Sequence, residues 1–240
     1  GAYATYVGQE IGQFYGWVYE GIARTQADLD GHATQQGANV GDCLYKDISG
    51  PEGTPDGVID AYDQTVLGSG LPKVNFGLST HMEYKGFDLN ISTYGVLNYH
   101  VSDDIYNSLN SCYGYGNKEV GMLDANRWSE DGSTYLSSVP RTYAANNATL
   151  AWNDLFSSRK IQNAAYWKIA NVELGYNFPD KWFGGYVSGV RLYVSAQNLY
   201  TFTGYHGYNV DYAGGTFTPG YNFCSFPSAR TFMAGLHFTF

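Results

Sequence analysis

Charge is scarce in this sequence. Only 15% of its 240 residues are Asp, Glu, Lys or Arg, against about 25% in an average soluble domain. The net charge is −9 and Lys and Arg form no cluster, so a surface that neutralises phosphates, and with it nucleic-acid binding, is not expected. No apolar run approaches the ~18 residues of a transmembrane helix. Cysteine is limited to Cys43, Cys112 and Cys224, with no CxxC or Cys/His zinc spacing; they read as small filler side chains, with one disulfide plus a free thiol as the alternative. Catalytic signatures are missing too. The five His are scattered, no G-x-S-x-G, H-E-x-x-H or P-loop occurs, and an acid pair such as Asp103-Asp104 is too common to imply a glycosidase. The reading is therefore of a protein that is not an enzyme. No N-terminal signal segment is present, which reads as a mature chain or a fragment.

What the sequence has in excess is aromatic and glycine content: 23 Tyr, 13 Phe, 5 Trp and 30 Gly. No 3.6-residue apolar stripe persists for three turns, whereas two-residue alternation is strong in three places. In the first, Val74, Phe76, Leu78, Thr80, Met82 and Tyr84 alternate with Asn75, Gly77, Ser79, His81 and Glu83. Lys85-Gly86 makes a turn, and Phe87, Leu89, Ile91, Thr93 and Leu97 alternate with Asp88, Asn90 and Ser92. In the second, Lys168, Ala170, Val172, Leu174, Tyr176 and Phe178 are set against Asn171, Glu173, Gly175 and Asn177, followed by Val190, Leu192, Val194 and Ala196 against Arg191, Tyr193, Ser195 and Gln197. The third is the C-terminal run, Phe232, Ala234, Leu236, Phe238 and Phe240 against Thr231, Met233, Gly235, His237 and Thr239.

The hairpin strands, at about 11–12 residues, are longer than the usual ~5–6 and match the ~9–11 needed to cross a bilayer at a tilt. One face of each is apolar and ends in aromatics, as in a lipid band with its girdle; the other is polar, as in a lumen. A secreted β-sandwich that binds glycans or acts as an adhesin alternates in the same way and is the competing reading, and a small passive porin is a third. Between the strands lie the long polar stretches 21–70, 100–165 and 203–228, while 85–86 is a two-residue turn; barrels of the outer membrane pair short turns on one side with long loops on the other.

Together, a series of short segments resembles the C-terminal part of a SusC/RagA-family TonB-dependent outer-membrane transporter. In order they are Gly12–Trp17 with Glu20-Gly21-Ile22, Tyr45-Lys46-Asp47, Asp56–Asp60, Leu71-Pro72-Lys73 with Phe76-Gly77, and Tyr84–Asp88. Pro140-Arg141, Lys168–Tyr176, Gln197–Tyr200, Phe226–Phe232 and Leu236–Phe240 follow. The resemblance implies an all-β fold: the C-terminal strands of an antiparallel transmembrane β-barrel of about 22 strands with long extracellular loops, residues 1–240 forming one region without the plug domain or the N-terminal barrel strands. It further implies import of oligosaccharides or peptides across the outer membrane of a Gram-negative, Bacteroidetes-like cell. The partners it implies are a SusD-like lipoprotein, the TonB complex acting on the missing part, outer-membrane lipid and the barrel-assembly machinery, which would read Phe238 and Phe240 as an assembly signal.

Two further groups are candidates for binding. Asp56-Gly57-Val58-Ile59-Asp60 with Asp63 reads like the second half of an EF-hand-type loop, with Asp47 and Ser49 as its first ligands. Structural calcium on Asp47, Ser49, Asp56, Val58, Asp60 and Asp63 is one reading. Pro51–Pro55 interrupt the loop and the last ligand is Asp rather than Glu, so a metal-free Asp/Gly turn is the other. The long loops also carry aromatics that suit sugar rings: Tyr113, Tyr115, Trp128, Tyr135, Tyr143 and Trp152 in one, and Tyr205, His206, Tyr208, Tyr212 and Tyr221 in another, with Asp154, Asn209 and Asp211 able to accept from hydroxyls. The substrate-binding candidates are Trp128, Tyr143, Trp152, Tyr205, Tyr208 and Asp211; loop packing is the alternative for each.

Overall fold

The structure is a computed structural model. It describes residues 2–112, 117–122, 127–129, 134, 137–142, 152–183, 187–211 and 214–240. The first 71 residues carry β1 (Tyr3–Ala4), β2 (Gln13–Gly16), β3 (Tyr19–Ile22), the short helix α1 (Gln26–Asp30), β4 (Cys43–Tyr45) and β5 (Thr65–Ser69). The hairpin β6 (Val74–Tyr84) and β7 (Phe87–Leu97) follows, then β8 (His100–Asp103) and α2 (Asp104–Leu109). After β9 (Gln162–Asn163) come β10 (Tyr166–Phe178) and β11 (Gly189–Thr203), and then β12 (Gly214–Gly215), β13 (Thr218–Pro219), β14 (Tyr221–Asn222) and β15 (Thr231–Thr239). The chain is nearly all β, and its contacts group it into two compact units interleaved in sequence.

The second unit (residues 72–99, 163–211 and 225–240) is one antiparallel sheet in the order β15-β11-β10-β7-β6. Its five strands run 9 to 15 residues. The turn between β6 and β7 is Lys85-Gly86, both with positive φ (48° and 87°), the geometry whose twist matches a hairpin. Asn177 N donates to Gly86 O at 2.7 Å and ties the neighbouring strand to that turn. At this end of the sheet two residues join β6 to β7 and ten join β10 to β11. At the opposite end the chain leaves for the long segments after β7 and after β11 and arrives from one before β6. The expected short-turn and long-loop asymmetry is present.

Cross-strand pairing sorts the side chains onto two faces. Leu174 pairs with Leu89 and Val194, Val172 with Ile91 and Ala196, and Val194 with Ala234, giving one apolar face. It is uncovered: Leu78, Met82, Leu174, Leu192, Val194, Leu236 and Phe238 are all exposed. Rings gather at both ends of it. Phe87, Tyr176, Phe178, Trp182 and Phe183 form a connected cluster at the short-turn end, and Trp167 stacks on Phe202, which meets Tyr200, at the other. Nine residues separate Tyr176 from Trp167, roughly 30 Å along a strand. Tilted by ~40°, that is roughly 23 Å, close to the ~25 Å apolar band of an outer-membrane barrel.

One sequence expectation fails here. Simple alternation puts Lys168 on the apolar face with Ala170 and Val172. The register of β10 shifts between Ile169 and Asn171 against both neighbours. The extra residue, Ala170, reverses the parity of everything before it. Lys168 therefore joins the polar face opposite Tyr94 and Thr201, while Trp167 and Ile169 take the apolar side. On β11 the bulge is Asn198-Leu199. Asn198 sits at φ 52°, which Asn tolerates better than most residues, and its Nδ2 donates to Ala229 O at 2.9 Å.

In the first unit (residues 1–71, 100–162 and 212–224) the described residues of the long polar stretches pack around a core of their own. Cys43, Tyr45, Ile59 and Trp152 form its buried cluster, flanked by Trp17, Tyr19, Ala33, Ala38 and Leu155. Asn153 stitches this core: its Oδ1 accepts from Cys43 N at 2.7 Å, and its Nδ2 donates to Asp42 Oδ1 at 2.8 Å and Arg141 O at 3.0 Å. Arg141 grips Asp42 with two bonds of 2.7 and 2.8 Å, and this pairing raises its pKa further above the usual guanidinium value. Gly41, at φ 93°, lies under the Trp128 ring; a Cβ there would come within 2.5 Å of it.

All three cysteines are free. Burial holds the Cys43 thiol protonated, its pKa pushed up to about 12, and raises that of Cys112; Cys224 is exposed. In the native protein at pH 8, maleimide is expected to label Cys224 and to reach Cys43 and Cys112 only on unfolding, as read by mass spectrometry. Leu174→Arg, near the middle of the apolar face, is expected to destabilise the protein in lipid by ~2–4 kcal/mol. Gln197→Arg on the polar face is expected to cost under ~0.5 kcal/mol, both by equilibrium unfolding of the full-length protein in vesicles.

Candidate functional site

The polar face of the sheet carries two charge clusters, one toward each end of β10. At the short-turn end Arg191 on β11 bonds Asp88 on β7 and Glu173 on β10, bridging three strands; its Nε lies 2.9 Å from Asp88 Oδ2 and its Nη2 2.7 Å from Glu173 Oε1. Asn177 Nδ2 adds a bond of 3.0 Å to Asp88. Gly175 lies directly beneath, where a Cβ would come within 2.5 Å of both Arg191 and Asp88. Polar residues Asn171, Glu173, Tyr193, Gln197 and His237 then line a shallow groove of about 530 Å³ along this face.

At the loop end Lys168 is buried, its side chain 4% exposed. Its Nζ lies 2.5 Å from Asp211 Oδ2 and 5.9 Å from the centre of the Tyr94 ring. Tyr94 OH donates to Asp211 Oδ1 at 3.2 Å. Asp211 comes from the segment after β11, so this cluster pins residues 204–211 onto the strands. Asn209 holds the same segment, taking Asp211 N at 3.0 Å and donating to Phe226 O at 3.1 Å. Beside it opens a cavity of about 330 Å³ lined by Lys168, Asn198, Tyr208, Asn209, Ser228 and Arg230, among others.

The substrate-binding candidates separate accordingly. Trp152 belongs to the core of the first unit, where its indole donates to Gln36 O at 3.0 Å and its carbonyl accepts from Tyr45 OH. Trp128 and Tyr205 are buried. Tyr208 is exposed on the cavity wall, and Asp211 is spent on Lys168 and Tyr94. Tyr143 lies outside the described residues, as do Tyr113, Tyr115, Tyr135 and Tyr212. Lys168, Asn198 and Arg230 had no signal as site residues: a bulge and two long-range hydrogen bonds bring them to the cavity. Phe238 pairs with Val190 on the apolar face, and Phe240 is fully accessible beyond β15.

Four of the six calcium candidates, Asp47, Asp56, Asp60 and Asp63, accept hydrogen bonds from backbone N–H groups of the same loop. Asp63 takes Ile48 N, Ser49 N and Asp60 N (2.7, 3.2 and 2.8 Å), and Asp60 and Asp63 cap the turn Ala61–Asp63. Asp47 Oδ2 accepts from Gly57 N at 2.7 Å and Asp56 Oδ1 from Val58 N at 3.0 Å. Asp47 Oδ1 is buried without a partner, but among the described residues no three Asp, Glu, His or Cys side chains form a group that would hold an ion. The loop's carboxylates accept from its own backbone donors.

A sheet of long antiparallel strands, uncovered and apolar on one face, ringed by aromatics at both ends and polar on the other, defines wall of the outer-membrane β-barrel class. Comparison with known proteins narrows this. No family model matches the chain. The TonB-dependent receptor P3 of Formosa agariphila is 30% identical over 97% of this chain and 22% of its own length. TonB-dependent receptor P26 of the same bacterium is 27% identical over 98% of the chain and 23% of its own length. The TonB-dependent receptor SusC of Bacteroides thetaiotaomicron is 27% identical over 77% of the chain and 17% of its own length. Among solved structures, the RagAB peptide transporter superimposes with a TM-score of 0.71 at 20% identity, over 94% of this chain and 22% of that one. The RagAB peptide importer in its open-open state gives 0.71 at 20%, over 99% and 25%. The chain fits a segment of a SusC/RagA-family TonB-dependent receptor, and it spans about a fifth to a quarter of the length of most of these relatives. The relatives are receptors and transporters, not enzymes.

Asp211→Asn leaves the Lys168 ammonium buried without its anion, a loss of about 1.5–3 kcal/mol. The expected readout is faster amide exchange across 204–211 with β10 and β11 still protected, measured by hydrogen–deuterium exchange on the full-length protein.

Proposed function

We propose that this chain supplies wall and external loops to a TonB-dependent importer in the outer membrane of a Bacteroidetes-like bacterium, which takes up oligosaccharides or peptides with a SusD-like lipoprotein. The observation that carries the reading is the five-stranded sheet itself. Its apolar face is uncovered and edged by rings at a spacing that fits the outer-membrane lipid band, and its outermost strands β6 and β15 each have one edge without a strand partner among the described residues. Backbone groups on an open edge cannot stay unpaired in hydrocarbon, so in the membrane this sheet continues into further strands. That agrees with a chain several times shorter than its relatives. The polar face, with the Arg191 cluster and its groove, then faces the lumen.

The mechanism is binding and gated passage without bond chemistry. Energy comes from the TonB complex acting on the part of the receptor outside this chain, and substrate meets the polar face and the loops. SusC and the RagAB peptide transporter, among the proteins this chain resembles, support the SusD-like partner.

Deleting the gene that encodes the full receptor is expected to abolish uptake of its fluorescent oligosaccharide or peptide substrate by intact cells, and loss of TonB is expected to do the same. Uptake that persists at the wild-type rate in both strains would overturn the import reading.

A further inference from the structure

The cavity at the loop end of β11 is lined by two cations, Lys168 and Arg230, and by no acid, in a chain with 22 Asp and Glu against 13 Lys and Arg. The two cations differ in what they face. Lys168 is buried and answered by Asp211 at 2.5 Å. Arg230 is exposed and makes no ion pair among the described residues. Its guanidinium offers a planar fork of N–H donors, which suits a carboxylate bound through two parallel bonds. A lone exposed arginine would be ordinary surface; its surroundings make it more than that. Tyr208 presents its ring to solvent at 67% exposure. Asn198, Asn209 and Ser228 add short neutral donors and acceptors.

The walls are also fixed before any ligand arrives. Asn198 is bonded to Ala229 O, next to Arg230, and Asn209 to Phe226 O, so both segments bordering the cavity are tied together at 2.9 and 3.1 Å. Preorganised walls reduce the ordering cost of binding. The volume, about 330 Å³, is at the small end of the ~300–1,000 Å³ typical of small-molecule sites. Val210 is the one aliphatic side chain in the lining, so the cavity has little to offer the apolar side chains of a peptide. Hydroxyl-sized polar groups, an open aromatic ring and an unanswered guanidinium suit a sugar that carries a negative charge.

We propose that this cavity is a subsite for an acidic sugar, its carboxylate on Arg230 and its ring against Tyr208. This deepens the import reading by naming a substrate class, and rests on it for the route by which the ligand arrives. The test is calorimetric titration of the purified full-length receptor in detergent with trigalacturonate, with the neutral galactotriose and with a triglutamate peptide. Trigalacturonate is expected to bind best, and Arg230→Gln to weaken it ~10- to 100-fold with an unchanged unfolding midpoint. Arg230→Lys is expected to restore part of the loss, and Tyr208→Ala to weaken both sugars. Unchanged trigalacturonate affinity in Arg230→Gln, no binding of trigalacturonate, or equal or tighter binding of triglutamate would each overturn the proposal. Titration reads binding without transport, so a positive result in a receptor that fails the uptake test leaves this site standing and removes only the import reading.

Discussion

Inside hydrocarbon a backbone N–H or C=O has no water to turn to, and each one left unpaired costs several kcal/mol. The second unit is organised by that constraint. Its strands are long because a tilted strand must stay paired across the whole apolar band, and β10, β7 and β11 are paired on both sides along most of their length. Once the ladder is complete, side chains on the outer face are free to be apolar and unpacked. Leu174, Val194 and Leu236 stand exposed, an arrangement that water would penalise and lipid does not.

The polar face follows different physics. There the charges that water no longer fully solvates are answered by one another. Arg191 gathers Asp88 and Glu173 from two other strands, and Lys168 takes Asp211 from a loop. The two clusters do different jobs. The first crosslinks three strands at a fixed register, with Gly175 leaving room for the guanidinium. The second fastens a loop segment to the strands and so shapes the cavity beside it. A bulge at Ala170 makes the second possible: without that extra residue Lys168 would face lipid.

In the first unit the described residues of the long loops have structure of their own. Their polar composition hides a small core, Cys43, Tyr45, Ile59 and Trp152, and a hydrogen-bonded hub on Asn153 and Asp42 that draws together residues about a hundred positions apart. Aromatic side chains that would suit a ligand are used for packing here. The acidic turn at 47–63 behaves similarly, its carboxylates closing the loop on backbone donors.

Residues that alternate along one strand were legible directly, because the two-residue period is a property of the local backbone. Val74–Tyr84, Phe87–Leu97, Gly189–Gln197 and Thr231–Thr239 show their faces in sequence, and Lys85-Gly86 announces its turn. The long strands, the apolar face and the family resemblance were therefore present in the sequence alone. The side of Lys168, the burial of Trp128, Trp152 and Tyr205, the commitment of Asp211 and the opening of a cavity at Tyr208 and Arg230 were decided by the tertiary structure. Each depends on a partner far along the chain or on a one-residue shift of register, and neither a distant contact nor a bulge leaves a periodic mark in the sequence.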